Sequence, residues 1–162
     1  MEKTNIGILP GLCLTQGSDL DLSFMVLSLS PGTDKKIYKI GHLSTYLFKR
    51  LTGQWAMDEV NASITGMYDT VHNSGWSKEI CEKSGVPMSI LPPVKEQETP
   101  SNLFCRKWRE KLGVGRNTMV KSGTQDVASA LAGAGADKKG KYYVISGSSE
   151  MIAILTDKPD NK

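Results

Sequence analysis

The chain has 162 residues, 39% of them hydrophobic, and its 20 basic and 17 acidic side chains leave a formal charge of +3. That length buries one core, so a single domain or pieces of two are expected. The charge is mild and scattered, with no basic stripe interleaved with aromatics, which argues against a nucleic-acid partner.

Cys13, Cys81 and Cys105 are an odd number at wide spacing without a CxxC pair, a usage that fits reduced thiols better than a disulfide framework. His42 and His72 lack ligand-spaced neighbours, so no metal site is expected on them. At the N-terminus, MEKTNIGILPGLCLT balances a lysine with a glutamate, and Pro10 and Gly11 break its apolar run; it does not read as a signal peptide. No stretch reaches bilayer-spanning length, so a cytoplasmic protein with no membrane partner is expected.

Residues 19–30, DLDLSFMVLSLS, alternate like a strand ahead of a turn at Pro31 and Gly32. Ile37, Ile40, Leu43, Leu47 and Leu51 then recur at helical spacing, with Lys49 and Arg50 in the last turn and Gly53 placed to stop the helix. GWSKEICEKSG predicts a shorter helix capped by Ser77 and stopped by Gly85, and the prolines of VPMSILPPV predict an extended loop. A third helix is predicted from about Asn102 to Leu112, capped by Ser101, with Leu103, Phe104, Trp108 and Leu112 as its apolar face. A short strand, NTMVKS, leads to a tight turn at Gly123 and Thr124. Asp126 stands where the next helix begins, Val127 to Ala134 form a helix of small residues, and Tyr142 to Ser146 read as a buried strand that breaks at Gly147, Ser148 and Ser149.

Four of these pieces together resemble the FGGY family of carbohydrate kinases. YLFKRLTGQWAMDEVNAS, with Tyr46, Leu47, Leu51, Thr52, Gly53, Asp58, Asn61, Ala62 and Ser63, is similar to the family's tyrosine-leucine helix, Leu-Thr-Gly, Thr-Asp and Asn-Ala-Ser segment. GWSKEICEKSGVPMSILPPV resembles its tryptophan-containing helix with a Gly-Ile-Pro and Leu-Pro-Pro-Val loop. SGTQDVASALAGAG resembles its Gly-Gly-His-Asp segment and small-residue helix, and SGSSEM its Gly-Thr-Ser turn. Each motif alone is weak; their order and spacing, from about Lys36 to Pro159, carry the resemblance.

The resemblance implies an α/β fold of the ribonuclease H-like, actin-like ATPase type, incomplete in this chain, with sugar and ATP meeting between two lobes. Residues 37–136 would be the later part of the sugar-binding lobe and 137–162 the start of the nucleotide-binding lobe, after an atypical segment, 1–36. It implies ATP with Mg2+ and a sugar or polyol as partners; the oligomeric state stays open, with a homodimer as one option. Asp126 would be the base toward the sugar hydroxyl, Thr124 and Gln125 would contact substrate beside it, and Gly147, Ser148 and Ser149 would hold nucleotide phosphates. Here Thr124 and Gln125 replace the family's glycine and histidine, and Ser148 its threonine. No Asp-x-Gly-Thr phosphate turn precedes Lys36, so an internal fragment is expected, inactive alone or acting as a noncatalytic sugar- or nucleotide-binding relative.

The residue types also suit this chemistry by themselves. Phosphoryl transfer needs a carboxylate to accept the proton of the attacking hydroxyl, and the dipole and free amides of a helix N-terminus favour the anionic form of Asp126. Backbone amides and hydroxyls at residues 147–149 can form an anion-binding concavity. The ordinary explanations are a helix cap for Asp126 and a plain turn at 147–149. Asp58, Asn61 and Ser63 are expected to serve capping and turn formation, and at least two of Trp55, Trp76 and Trp108 to pack in the core.

Overall fold

The computed structural model describes residues 7–9, 12–14, 37–95, 101–147 and 150–157. The strand expected over residues 19–30 therefore lies outside the described residues, as do Ser148 and Ser149. The chain divides into two compact units, Met1–Gly123 and Thr124–Lys162.

In the first unit, β1 (Gly7–Leu9), β2 (Leu12–Leu14) and β3 (Lys39–Gly41) form a sheet in which β1 and β2 are antiparallel and β2 and β3 parallel. Helix α1 (Leu43–Thr52) follows directly and ends as expected at Gly53, whose φ of 82° is the left-handed conformation that lets its N–H reach the Lys49 carbonyl at 2.8 Å. The start of this helix and its buried face differ from the sequence expectation. Ile40 belongs to β3, and Leu43 and Leu47 are 59% and 48% exposed, while Thr45, Phe48 and Thr52 are buried. The inward face is set by what lies beside the helix. A Cβ on Gly41 would stand 3.0 Å from Thr45 Cβ, so glycine permits β3 and α1 to approach there. Thr52 tolerates burial because its hydroxyl donates to the Phe48 carbonyl at 2.7 Å.

Strand β4 (Met57–Asp58) leads into the short helix α2 (Glu59–Ser63). Helix α3 (Lys78–Ser84) matches expectation at both ends. The Ser77 hydroxyl accepts the Ile80 N–H, and Gly85 takes φ 70° to close the C-terminus. The VPMSILPPV loop holds a 3-10 turn (Met88–Ile90) before β5 (Val94–Lys95), which pairs in parallel with β4. Lys39 ties that turn to β3 by donating to the carbonyls of Ser89 at 2.7 Å and Leu91 at 2.9 Å, and burial pushes its ammonium pKa down.

The third expected helix begins later than its spacing suggests. Residues Ser101–Leu103 form β6, paired antiparallel with β7 (Met119–Lys121), and α4 (Arg106–Leu112) starts from Cys105 with no side-chain cap. Leu103 and Leu112 are exposed, while Phe104 packs against buried Phe48, Ala56 and Val120. A strand partner sixteen or more residues away leaves no trace in local periodicity.

Two further clusters complete the core of this unit. Ile40, Met67, Cys81, Val86, Ile90 and Leu91 form one, and Met57, Ala62 and Tyr68 form another, with Trp76 packed against both. The Trp76 indole donates to the Pro92 carbonyl at 2.8 Å, which satisfies its polar end inside the protein. In the second unit, α5 (Asp126–Gly133) precedes an antiparallel hairpin of β8 (Tyr142–Ser146) and β9 (Glu150–Ile154), registered from Tyr142↔Ile154 to Ser146↔Glu150. Strand β8 is where expected but is not buried: Tyr142 is 73% and Val144 69% exposed, because a two-stranded hairpin leaves this side of the strand uncovered.

Candidate functional site

Thr124, Gln125 and Asp126 stand together at the start of α5. Gly123, at φ 70°, turns the chain out of β7's trailing segment, a conformation that a side-chain-bearing residue adopts only at a cost. The helix cap is Gln125, not Asp126. The Gln125 side-chain oxygen accepts the Ala128 N–H at 3.1 Å, and its main-chain carbonyl accepts both the N–H and the hydroxyl of Ser129 at 3.0 Å. Asp126 is thereby the first helical residue. Its Oδ1 accepts the Val127 N–H at 2.8 Å, and the residue is exposed. One carboxylate oxygen is thus held by the backbone, and the side chain is open to water. Gln125 holds the cap position, and the Asp126 carboxylate serves the next free amide of the first turn, that of Val127.

Of the expected phosphate turn, Gly147 is described: it follows β8 in the same unit and is exposed. Ser148 and Ser149 lie outside the described residues. Between the second half of α5 and β8 runs an apolar groove of about 420 Å³ that includes Leu131, Tyr143 and Ile145. Asp126 is at the opposite end of α5 and does not line it.

Asp58, Asn61 and Ser63 serve local structure. Asp58 caps α2 through the Asn61 N–H at 3.2 Å and accepts the Asn61 side-chain amide at 2.6 Å, while the Ser63 hydroxyl donates to the Val60 carbonyl at 2.8 Å. His42 Nε2 lies 3.1 Å from the Asn61 carbonyl oxygen. Trp76 belongs to the core; Trp55 and Trp108 are half-buried, Trp55 in tilted contact with Tyr38 and Trp108 beneath two cations.

One polar centre went unremarked in the sequence. Asp69 accepts the N–H groups of Val71 and His72 and the Ser74 hydroxyl, and lies 2.9 Å from His72 Nδ1. These bonds, the His72 backbone N–H foremost, hold its carboxyl pKa down to about 2. Its partners are all within five residues, which identifies it as the pin of the 69–74 loop. An Asp followed within a few residues by His, Asn and Ser is the available sequence signal for such a turn.

The signature of the N-terminal domain of the FGGY family of carbohydrate kinases matches residues 24–133. The chain belongs to this family. The match reaches back to residue 24 and forward through Asp126. The chain is 28% identical over 158 residues to the glycerol kinase of Thermococcus kodakarensis, covering 98% of this chain and 31% of that protein. It is 34% identical over 105 residues to the autoinducer-2 kinase of Photorhabdus laumondii, covering 65% of this chain and 20% of that one. This FGGY chain thus spans about a third or less of these relatives' length.

Solved structures agree on the fold. The gluconate kinase of Lactobacillus acidophilus superposes with a TM-score of 0.80 at 20% identity, over 88% of this chain and 29% of that one. The xylulose kinase of the same organism gives 0.77 at 21% identity, over 93% and 31%. The FGGY chain is accordingly α/β, part of a ribonuclease H-like, actin-like ATPase fold. No helix among its described residues is long and apolar enough to cross a membrane.

Proposed function

We propose that this FGGY chain is part of a carbohydrate kinase that moves the terminal phosphate of ATP to a hydroxyl of a sugar or polyol, with Asp126 as the general base. The observation that carries the reading is the family match running through an exposed carboxylate in the first turn of α5. As the substrate oxygen bonds to the γ-phosphorus, the bond to the β–γ bridging oxygen breaks and ADP leaves. The substrate proton passes to Asp126. Thr124 and Gln125 flank the reacting hydroxyl, and the amide of Gly147 with the two following serines would receive phosphate oxygens.

ATP supplies the phosphoryl group and Mg2+ accompanies its phosphates. Among the described residues no group of three or more His, Cys, Asp or Glu side chains converges. Residues 37–136 and 137–162 are proposed to belong to the sugar-binding and nucleotide-binding lobes, and the whole protein to work in the cytoplasm as a homodimer.

ADP release measured over a panel of pentoses, hexoses and polyols tests this reading. Sugar-dependent release that falls by about 100-fold to 10,000-fold in Asp126→Asn is the expected outcome. Turnover unchanged in that variant would remove Asp126 from the chemistry. Thermal stabilisation by a sugar without ADP release would favour a noncatalytic binding relative.

A further inference from the structure

Between α1 and α4 lies a group of cations that the proposed phosphoryl transfer does not use. Arg50 is exposed, and its guanidinium carbon lies 5.9 Å from the Tyr46 ring centroid, one turn earlier on α1, and 5.9 Å from that of Trp108 on α4. Lys111 places its ammonium 5.1 Å from the same Trp108 centroid, and Lys107 is exposed one turn before it. The helices are joined by the backbone, through the Cys105 N–H donating to the Leu51 carbonyl at 2.7 Å. The rings are therefore positioned independently of the cations that lie over them.

Among the described residues no carboxylate pairs with Arg50, Lys107 or Lys111. Glu110, the one acid of α4, is held by Arg106 at 2.7 Å. A cation–π contact uses the charge of a guanidinium and leaves its N–H groups able to donate to an acceptor with two oxygens. A guanidinium and an ammonium that share the Trp108 ring, with exposed Lys107 one turn away on α4, supply the donor types that suit phosphate. Tyr46 and Trp108 are half-buried and already covered by cations, so they are poor platforms for the base stacking on which single-strand binders rely.

We propose that Arg50, Lys107 and Lys111 form an anion site for a small molecule carrying two or more phosphate groups, on the outer face of α1 and α4. It is built from elements of the first unit, whereas Asp126 and Gly147 lie in the second.

The test is a titration of the 15N-labelled full chain with inorganic tripolyphosphate, followed at the Trp108 indole N–H and the Arg50 Nε–H. The expected result is a saturable shift of both signals. Arg50→Gln should weaken binding by at least about tenfold, as loss of a charge-assisted bidentate bond requires. Arg50→Lys, which keeps the charge and loses the fork, should recover only part of it. The Lys107→Gln/Lys111→Gln double variant, on exposed positions, should weaken it independently. Shifts reproduced by sodium chloride at equal ionic strength, or retained in Arg50→Gln, overturn the site. An oligonucleotide that binds more tightly than tripolyphosphate per phosphate overturns its assignment to a small molecule.

Discussion

The two units bury their side chains very differently. Up to Gly123, three clusters of buried apolar residues lock strands and helices together, with Met57, Ala62 and Met67 at 2% exposure or less. From Thr124 onward, no described residue of α5, β8 or β9 is buried, and Tyr142, Val144 and Ile152 are each about 70% exposed. Burial of apolar surface is the main force that stabilises a fold, so the first unit should carry most of the chain's stability. The second, which holds Asp126, should open at lower free energy.

The contrast breaks most sharply under core truncation. Met67→Ala removes a fully buried side chain and should cost about 2–5 kcal/mol in urea unfolding, whereas Val144→Ala on β8 should stay within about 0.5 kcal/mol. Equal effects would show that the hairpin is as well packed as the first unit. A smaller loss, about 1–3 kcal/mol, is expected for Trp76→Phe, which leaves the Pro92 carbonyl without its donor; the same denaturation experiment measures it. Hydrogen exchange sharpens the comparison further. Amides of α3 should be protected well beyond those of α5, and protection of α5 equal to that of α3 would contradict the difference in burial.

The smallest effect concerns pH. Because the folded-state pKa of Asp69 is depressed from 3.8 to about 2, its contribution to stability is complete above pH about 4 and is lost as pH falls toward 2. Asp69→Asn should flatten that acid limb by lowering stability modestly at neutral pH while leaving it nearly unchanged near pH 2, as urea unfolding at the two pH values would show. An unchanged acid limb would mean that the loop bonds persist in the unfolded chain.

Much of this was legible in the residues. Gly53, Ser77 and Gly85 mark helix ends where they were expected because capping depends on one residue's own backbone preference and its nearest amides. Asp58 and Asn61 were correctly read as local turn formers for the same reason. The motif order that pointed to the FGGY family is also local, and it held. What went astray depended on distant partners. Leu43 and Leu47 repeat like a buried face yet are exposed, because Gly41 and the neighbouring elements select Thr45, Phe48 and Thr52 instead. At the candidate site the helix start at Asp126 was legible but the cap was not, since Gln125 is the residue whose side chain reaches the third amide of the helix.

By itself, then, the amino-acid order determined where helices stop, which turns need glycine and which family the chain belongs to. All of these rest on bonds within a few residues or on residue identity. The tertiary structure alone decided that residues 101–103 are a strand, that Arg50 meets Trp108, and which face of each helix turns inward. Those choices follow from non-local pairing and packing, where the energy depends on groups that sequence spacing does not bring side by side.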